Sequence, residues 1–214
     1  MKHYADPEWS ALLKAVVDSP ADDLPRLVAA DWLDERDDPE RAEFIRLQCA
    51  VARDETPELA WKIRALWNSL GGQLWAVEAC PNLVTLEFAE GGPTLHTLTV
   101  QHTERVRFRR GFPDFVVCPA ADWLAHGAGI VPRQPVMCLR LLLAAEVPIE
   151  RWWPMLPTLR RMEAIELQGH RPALSEFLRK NLPGAAIIGC CSDSGRLSGF
   201  GESFWIIPRP LSYT

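Results

Sequence analysis

The chain has 214 residues, of which 48% are apolar and 24% are charged, and its formal net charge is −5. A chain of this size and composition can bury one sizeable core or two small ones, which predicts a soluble globular protein. Residues 1–60 carry 15 acidic and 7 basic side chains, a balance of −8, whereas the remaining residues carry 13 and 16, a balance of +3. Neither balance is extreme enough to identify a partner.

The sequence has no segment with the pattern of a membrane span or a signal peptide. Its first residues, MKHYAD, lack an apolar core, and no uninterrupted apolar run reaches about 18 residues. We therefore expect a cytoplasmic protein without membrane contact.

The six cysteines form no CxxC pair, and several lie in apolar runs where a free thiol packs as a small hydrophobe. They are Cys49, Cys80, Cys118, Cys138, Cys190 and Cys191. We expect reduced, structural thiols, and a redox role for the adjacent Cys190 and Cys191 stays open.

Four amphipathic helices are predicted between residue 6 and about residue 75. Asp6 is the expected N-cap of the first helix, with proline at its first position, and the core face is Trp9, Leu12, Leu13, Val16 and Val17. The second helix begins near Pro25, and its stripe is Leu24, Leu27, Val28 and Trp32.

The third helix begins at Asp38 and Pro39, and its apolar face includes Phe44, Ile45 and Cys49. The fourth begins at Thr56 and presents Leu59, Ile63, Leu66, Trp67 and Leu70 on one face. We expect Gly71 and Gly72 to end it.

Two segments within these helices resemble a known family. Residues 24–36 read LPRLVAADWLDER, and residues 38–48 read DPERAEFIRLQ. They match nearly every position of the patterns D-D-x-P-R-L-V-x-A-D-W-L-(D/E)-E-R and D-P-x-x-x-(G/A)-E-F-I-R-x-Q of the bacterial repeat-companion domain family. The resemblance implies a small helical domain that precedes leucine-rich or similar repeats, without an established catalytic activity.

Two later segments resemble the linker and first repeat of long family members, namely RFRRGF at residues 107–112 and LPTL at residues 156–159. The long tandem array that is usual in such proteins is missing. The resemblance therefore implies an architecture and leaves the biochemical role open.

After Pro81 the pattern changes to strands. Residues 83–88 and 94–100 flank the turn-forming Glu90-Gly91-Gly92-Pro93 and predict a hairpin, and residues 104–110 and 114–118 predict a second strand pair. Helices are then predicted at 120–126, 149–155 and 172–182, alternating with strands at 136–143, 162–167 and 185–190, and a last strand near 204–207.

Leu139, Ile165 and Ile187 occupy equivalent places in three of these strands. They are 26 and 22 residues apart, within the period of about 20–29 residues of leucine-rich repeats. Because the leucine and asparagine consensus is absent, the segment is interpreted as degenerate repeats, with an ordinary α/β or α+β sheet as the alternative.

The predicted fold is therefore α+β. A helical repeat-companion domain occupies residues 1–80, an antiparallel β segment residues 81–118, and a degenerate leucine-rich-repeat-like α/β segment residues 119–214.

Two polar groups of the helical part are interpreted as structural. Asp31 falls on the apolar stripe of the second helix, where a carboxylate needs a partner; Arg26, Arg41 and Arg46 are candidates for a salt bridge between the second and third helices. Glu43 and Arg46 have the spacing of an ion pair on one helix face.

Trp152 and Trp153 form a candidate interaction anchor. Adjacent positions on a helix point about 100° apart, so both rings cannot easily be buried. An exposed tryptophan suits an interface, and covering the edge of the core is the alternative. Six other tryptophans lie on or near apolar stripes and are expected in the core: Trp9, Trp32, Trp61, Trp67, Trp75 and Trp123.

Arg105, Arg107 and Arg109 alternate with apolar residues, so a strand would place three guanidiniums on one face, and Arg110 adds a fourth charge. Such a stripe could bind phosphates or an acidic protein surface. A solvated strand face is the alternative.

The remaining chemistry-bearing patterns are absent. The five histidines lack metal-ligand spacing, and there is no nucleophile elbow and no Lys-Ser or Lys-Thr phosphate loop. We therefore expect a non-enzymatic interaction module without a cofactor, an adaptor or accessory subunit of a larger bacterial assembly. A nucleic-acid or ribonucleoprotein accessory subunit is the second hypothesis, and an enzyme built from dispersed residues is the third.

Overall fold

The structure is a computed structural model that describes residues 3, 5–88, 98–101, 105–144, 147–169 and 171–190. Four helices open the fold, as predicted: α1 (Pro7–Asp18), α2 (Leu24–Asp34), α3 (Pro39–Val51) and α4 (Pro57–Asn68). Asp6 caps α1 by accepting from the backbone N–H of Glu8 at 2.8 Å, and Thr56 caps α4 by accepting from Leu59 at 3.3 Å.

A fifth helix, α5 (Leu70–Ala79), begins where the glycines were expected to end the helical run. The hydroxyl of Ser69 donates to the carbonyl of Leu66 at 2.6 Å and accepts from the N–H of Gly72 at 3.1 Å. A Cβ atom at Gly72 would lie 2.4 Å from the Leu66 carbonyl oxygen. Glycine is therefore required here because α5 starts close against the end of α4.

The buried face of α2 differs from the predicted stripe. Leu24 and Val28 are 65% and 45% exposed, so their assignment to the core was wrong. The residues that point inward are Arg26, Ala29, Ala30, Trp32 and Leu33. Two alanines at this face allow a close approach to α3, and the pattern was misread because large apolar side chains were given more weight than small ones.

The tryptophans expected in the core are buried, except Trp61. Trp61 lies on the outer side of α4 with 70% of its surface exposed, so its assignment to the core was wrong. The buried side of α4 is formed by Ile63 and Trp67 instead.

Two β-sheets follow the helices. The smaller is the predicted hairpin, in which β1 (Thr85–Phe88) pairs antiparallel with β2 (Leu98–Gln101). The larger has the order β3-β4-β5-β6-β7, with bounds Val106–Arg109, Phe112–Pro119, Cys138–Leu142, Ala164–Gln168 and Ala186–Cys190. β3 and β4 are antiparallel, and the three following pairs are parallel.

The parallel strands are aligned as the spacing of their branched residues predicted. Leu139 is opposite Ile165, and Ile165 is opposite Ile187; Val116 of β4 extends the same column. Each strand therefore lies beside its successor in the chain. The α+β class is confirmed, and its parallel part has a repeat-like order.

The connections between parallel strands cover one face of the sheet. They are α6 (Ala120–Ile130), a 3₁₀ helix (Ile149–Met155) with α7 (Leu156–Leu159), and α8 (Pro172–Asn181). Their buried residues Trp123, Trp152 and Leu178 share a core cluster with Leu139 and Ile165 of the strands. None of the helices within the described residues is long and apolar enough to cross a lipid bilayer.

An aromatic group joins the helices to the sheet. The ring of Phe44 on α3 lies 5.1 Å from Trp75 of α5 and 5.9 Å from Phe108 of β3, measured between centroids. Trp67 of α4 lies 5.1 Å from the same Phe108 ring. A second cluster contains Trp9, Trp32 and Ile45 of the helices, with Phe112 from the start of β4. Burial of these rings stabilises the attachment of the helices to the first strand pair.

Candidate interaction surfaces

The turn between β3 and β4 is bound by one side chain of α3. The amide of Gln48 donates to the carbonyl of Phe108 at 3.3 Å, and its oxygen accepts from the N–H of Gly111 at 2.7 Å. Gly111 has φ +85°, and a Cβ atom there would lie 2.4 Å from the Ile45 side chain. Gln48 therefore satisfies two backbone groups in a place too crowded for another residue at 111.

Three arginines donate to backbone carbonyls at the end of α1 and in the loop that follows it. Arg161 donates to Val17 in the last turn of α1 at 2.7 Å, Arg26 donates to Asp22 at 2.8 Å, and Arg110 donates to Ala21. Arg110 belongs to the turn after β3 and Arg161 to the segment before β6, so these two contacts connect the helices to the sheet. Arg26 belongs to α2 and holds the loop within the helical part.

The predicted arginine stripe is divided among different surroundings. Arg105 precedes β3, and its guanidinium lies 3.9 Å from the carboxylate of Asp122 on α6. Arg110 has φ +52° and turns toward the α1–α2 loop, 3.5 Å from Asp23. Of these four arginines, Arg107 and Arg109 lie on β3 itself. Arg105 and Arg110 lie just before and just after the strand, where the alternation of inward and outward side chains stops.

The two strand arginines also differ. The Arg107 guanidinium lies 5.5 Å from the centroid of the Phe115 ring on β4, within the range of a cation–π contact. Arg109 is exposed. Burial raises the pKa of the nearby Asp114 carboxyl group, and the positive charge of Arg109 offsets this rise only in part.

Asp31 pairs with one of the three predicted arginines. Arg46 of α3 contacts Asp31 and Asp34 of α2, both at 2.6 Å, and these bonds raise the pKa of Arg46. The bridge joins the second and third helices as expected. Its environment was predicted wrongly, because the Asp31 side chain is 70% exposed.

Arg41 and Glu43 have separate positions on α3. Arg41 is buried, lies 2.8 Å from Glu78 of α5 and packs 5.2 Å from the Trp9 ring. Glu43 is exposed. The hydrogen bond to Glu58 chiefly raises the pKa of Lys62 on α4, and the charge of Glu43 acts in the same direction. Arg46, its expected partner, is bonded to α2 instead.

The adjacent tryptophans of the 3₁₀ helix separate as expected. Trp152 is fully buried, whereas Trp153 is 55% exposed. The Trp153 ring packs edge-on against Phe177 of α8, with 5.0 Å between centroids. One ring therefore fixes the segment in the core and the other lies on the surface.

An ion pair between β5 and β6 was missed in the sequence. Arg140 contacts Glu166 at 2.8 Å, and both side chains are nearly buried. The pair lies on the sheet face opposite Leu139 and Ile165, since neighbouring residues of a strand point to opposite faces. The sequence contains a signal for this pair, because Arg140 directly follows Leu139 and Glu166 directly follows Ile165. Strands aligned on the two apolar residues therefore place the two charged residues opposite each other.

Burial disfavours the thiolate form of Cys49, Cys80, Cys118 and Cys138. Burial raises the pKa of Cys49, Cys118 and Cys138 to about 12, and raises that of Cys80 as well. The thiolate is the reactive form of cysteine. Outside the described residues lie the Cys190 side chain and Cys191, the histidines at 96, 102 and 170, the turn predicted at Glu90-Gly91-Gly92-Pro93, and the strand predicted at 204–207.

Across the described ranges, no three His, Cys, Asp or Glu side chains are grouped as metal ligands. Comparison of the chain with protein-family models, with curated proteins and with solved structures finds no match.

Proposed function

We propose that the protein is a non-enzymatic protein-interaction module, an adaptor or accessory subunit of a larger bacterial assembly that acts in the cytoplasm. In this proposal the helical part is a relative of the repeat-companion domain that covers the first strand pair of a short repeat-like sheet. Side chains of the resembling segments support that attachment: Gln48 binds the β3–β4 turn, and the Arg26 guanidinium lies 5.9 Å from the centroid of the Phe112 ring at the start of β4.

The exposed Trp153 is the observation that carries this proposal. More than half of the Trp153 surface, 55%, is exposed. Its position is nevertheless restrained by the buried Trp152 beside it and by the Phe177 ring. A restrained aromatic side chain loses little conformational entropy on binding, and such residues contribute about 2 kcal/mol or more at interface hot spots.

A nucleic-acid or ribonucleoprotein accessory role is the second hypothesis, and it depends on the arginines around β3. Arg105 and Arg110 both lie near carboxylates, which reduces the positive potential that they offer to a phosphate. Arg107 and Arg109 lie on the strand itself and are the pair whose replacement tests this hypothesis. An enzyme built from dispersed residues is the third hypothesis, and the described thiols offer it no activated nucleophile.

The test is affinity capture with the full chain from an extract of its own host, followed by quantitative mass spectrometry and nucleic-acid staining. We expect a protein partner whose recovery survives nuclease treatment and falls at least about tenfold for Trp153→Ser, equivalent to about 1.4 kcal/mol. Trp61→Ser is the matched control, because Trp61 is also a helix-borne and exposed tryptophan.

Two results would replace the proposal. The nucleic-acid hypothesis would be favoured if nuclease treatment abolishes recovery of the partner, and if the double variant Arg107→Gln with Arg109→Gln does so as well, whereas Trp153→Ser does not. Equal recovery by Trp153→Ser and the unmodified chain would remove Trp153 from the interface.

A further inference from the structure

We propose that the outer face of α2 binds a basic amphipathic helix of a partner protein. The face consists of Leu24, Val28, Asp31 and Glu35, and we call it the outer α2 stripe. The proposal rests on the proposed function, because it assigns a partner class to a protein-interaction module. It concerns a surface on the helical part, separate from Trp153.

The four residues have the spacing of a single helix face. Intervals of four, three and four residues place their side chains in a row along α2, because a helix has about 3.6 residues per turn. Glu35 is the C-cap residue and keeps helical backbone angles, φ −64° and ψ −12°. The row therefore runs over the whole length of α2.

Every member of the row is accessible. Leu24 and Val28 are 65% and 45% exposed, and the side chains of Asp31 and Glu35 are 70% and 76% exposed. The core contacts of α2 are made from its other side by Ala29, Ala30 and Leu33. The fold thus leaves two large apolar side chains one turn apart at the surface, on the side of α2 away from the core.

The charge of the stripe selects the partner. Four carboxylates near the end of α2, those of Glu8, Asp31, Asp34 and Glu35, share the guanidiniums of Arg36 and Arg46. Negative charge is therefore in excess at this end. This excess is part of the balance of −8 over residues 1–60.

The direction of the helix strengthens the same preference. A helix C-terminus carries partial negative charge, so cations stabilise it and anions destabilise it. The last turn of α2 contains no basic residue and ends with Asp34 and Glu35. Arg36 and Arg46 offset this negative charge only in part, so lysine or arginine side chains of a partner would lie favourably against it.

The complementary partner has two apolar side chains one turn apart that pack on Leu24 and Val28, and lysine or arginine about two turns further along. A partner helix of this kind uses both halves of the stripe. Nucleic acid does not fit, because its phosphates would meet the carboxylates.

The experiment uses the full chain and two synthetic helical peptides of about 18 residues. One carries a leucine row followed by lysines, and the other is identical except for glutamates in place of the lysines. We expect fluorescence anisotropy to give at least about tenfold tighter binding of the lysine peptide, with an affinity that falls as salt rises. Leu24→Ser with Val28→Ser should weaken this binding at least about tenfold.

Two further variants and a check of folding complete the test. Glu35→Gln should reduce the preference for the lysine peptide, whereas Trp61→Ser, which removes an exposed tryptophan on α4, should leave binding unchanged. Circular dichroism and the melting temperature of each variant should match those of the unmodified chain, because the substituted residues are exposed.

Equal binding of the two peptides, or equal binding by Leu24→Ser with Val28→Ser and the unmodified chain, would overturn the proposal. Analytical ultracentrifugation gives a further outcome that would overturn it. If the unmodified chain sediments as a dimer and the double variant as a monomer, the outer α2 stripe binds a second copy of this chain instead. Failure of the proposed function has a different result, namely partner recovery that is independent of Trp153 while peptide binding still depends on Leu24.

Discussion

The guanidinium of Arg140 lies 2.8 Å from the carboxylate of Glu166 on the neighbouring parallel strand. These residues follow Leu139 and Ile165, so the apolar column on one sheet face and the ion pair on the other have the same 26-residue interval. The register of β5 and β6 is thus specified on both faces of the sheet. A shift by one residue would turn the charged side chains toward the core cluster of Leu139 and Ile165 and would separate Arg140 from Glu166.

The first prediction concerns this ion pair. Arg140→Met leaves the carboxylate of Glu166 nearly buried and without its partner on β5, which should reduce the free energy of unfolding by about 3–5 kcal/mol. The double variant Arg140→Met with Glu166→Leu should regain most of that loss. Urea unfolding of the unmodified chain, both single variants and the double variant measures this coupling. Additive losses would show that the two side chains act independently.

The second prediction concerns the attachment of the β3–β4 turn. Gln48→Leu removes the acceptor of the Gly111 N–H and the donor to the Phe108 carbonyl, both in buried surroundings. The unfolding free energy should fall by about 2–4 kcal/mol, since unsatisfied buried backbone groups cost about 1–3 kcal/mol each. Gln48→Asn, with a shorter side chain that cannot span both groups, should lose a similar amount. A loss below about 0.5 kcal/mol for Gln48→Leu would exclude this role.

Much of the fold could be predicted because it depends on local patterns. Proline and cap residues locate the starts of α1, α3 and α4, and the intervals between branched residues predict the strand register. Trp152 and Trp153 separate for the same local reason, their adjacent helical positions.

The errors concern properties that depend on tertiary contacts. The buried face of α2 was misassigned because alanines at its contact with α3 take the place of larger apolar residues. Gly72 lies inside α5 and does not end a helix, because its role is to let the start of α5 lie close against the end of α4. The arginines near β3 diverge because their partners, such as Asp122 and Ala21, come from distant parts of the chain. Neither composition nor periodicity contains that information.

The third prediction concerns pH. Burial raises the pKa of Asp114 above its ordinary value of 3.8, so the folded chain holds this proton more strongly than the unfolded chain. The protonated carboxyl favours folding below pH 3.8, and this contribution is lost as the pH rises through the folded-state pKa. Asp114→Asn should therefore be more stable than the unmodified chain at pH 7, and the advantage should shrink toward pH 3. Urea unfolding at both pH values tests it, and an advantage that grows at low pH would contradict the assignment.

The fourth prediction concerns the thiols. In a Cys190→Ser and Cys191→Ser background, the cysteines at 49, 80, 118 and 138 should react with a chromogenic disulfide at pH 8 at least about 100-fold more slowly than a free thiol, because burial raises their pKa. Urea should restore the ordinary rate. Rapid reaction of any of the four in the folded chain would show an accessible thiolate.

The central claim is that the exposed Trp153 lies in a protein interface. The most direct measurement replaces Trp153 with the photoreactive p-benzoylphenylalanine in living host cells and identifies the crosslinked adducts by mass spectrometry, with the same replacement at Trp61 as the control. The proposed function predicts a discrete protein adduct from position 153 that is absent from position 61 and insensitive to nuclease. A nucleic-acid adduct at position 153, or the same diffuse pattern from both positions, would contradict it.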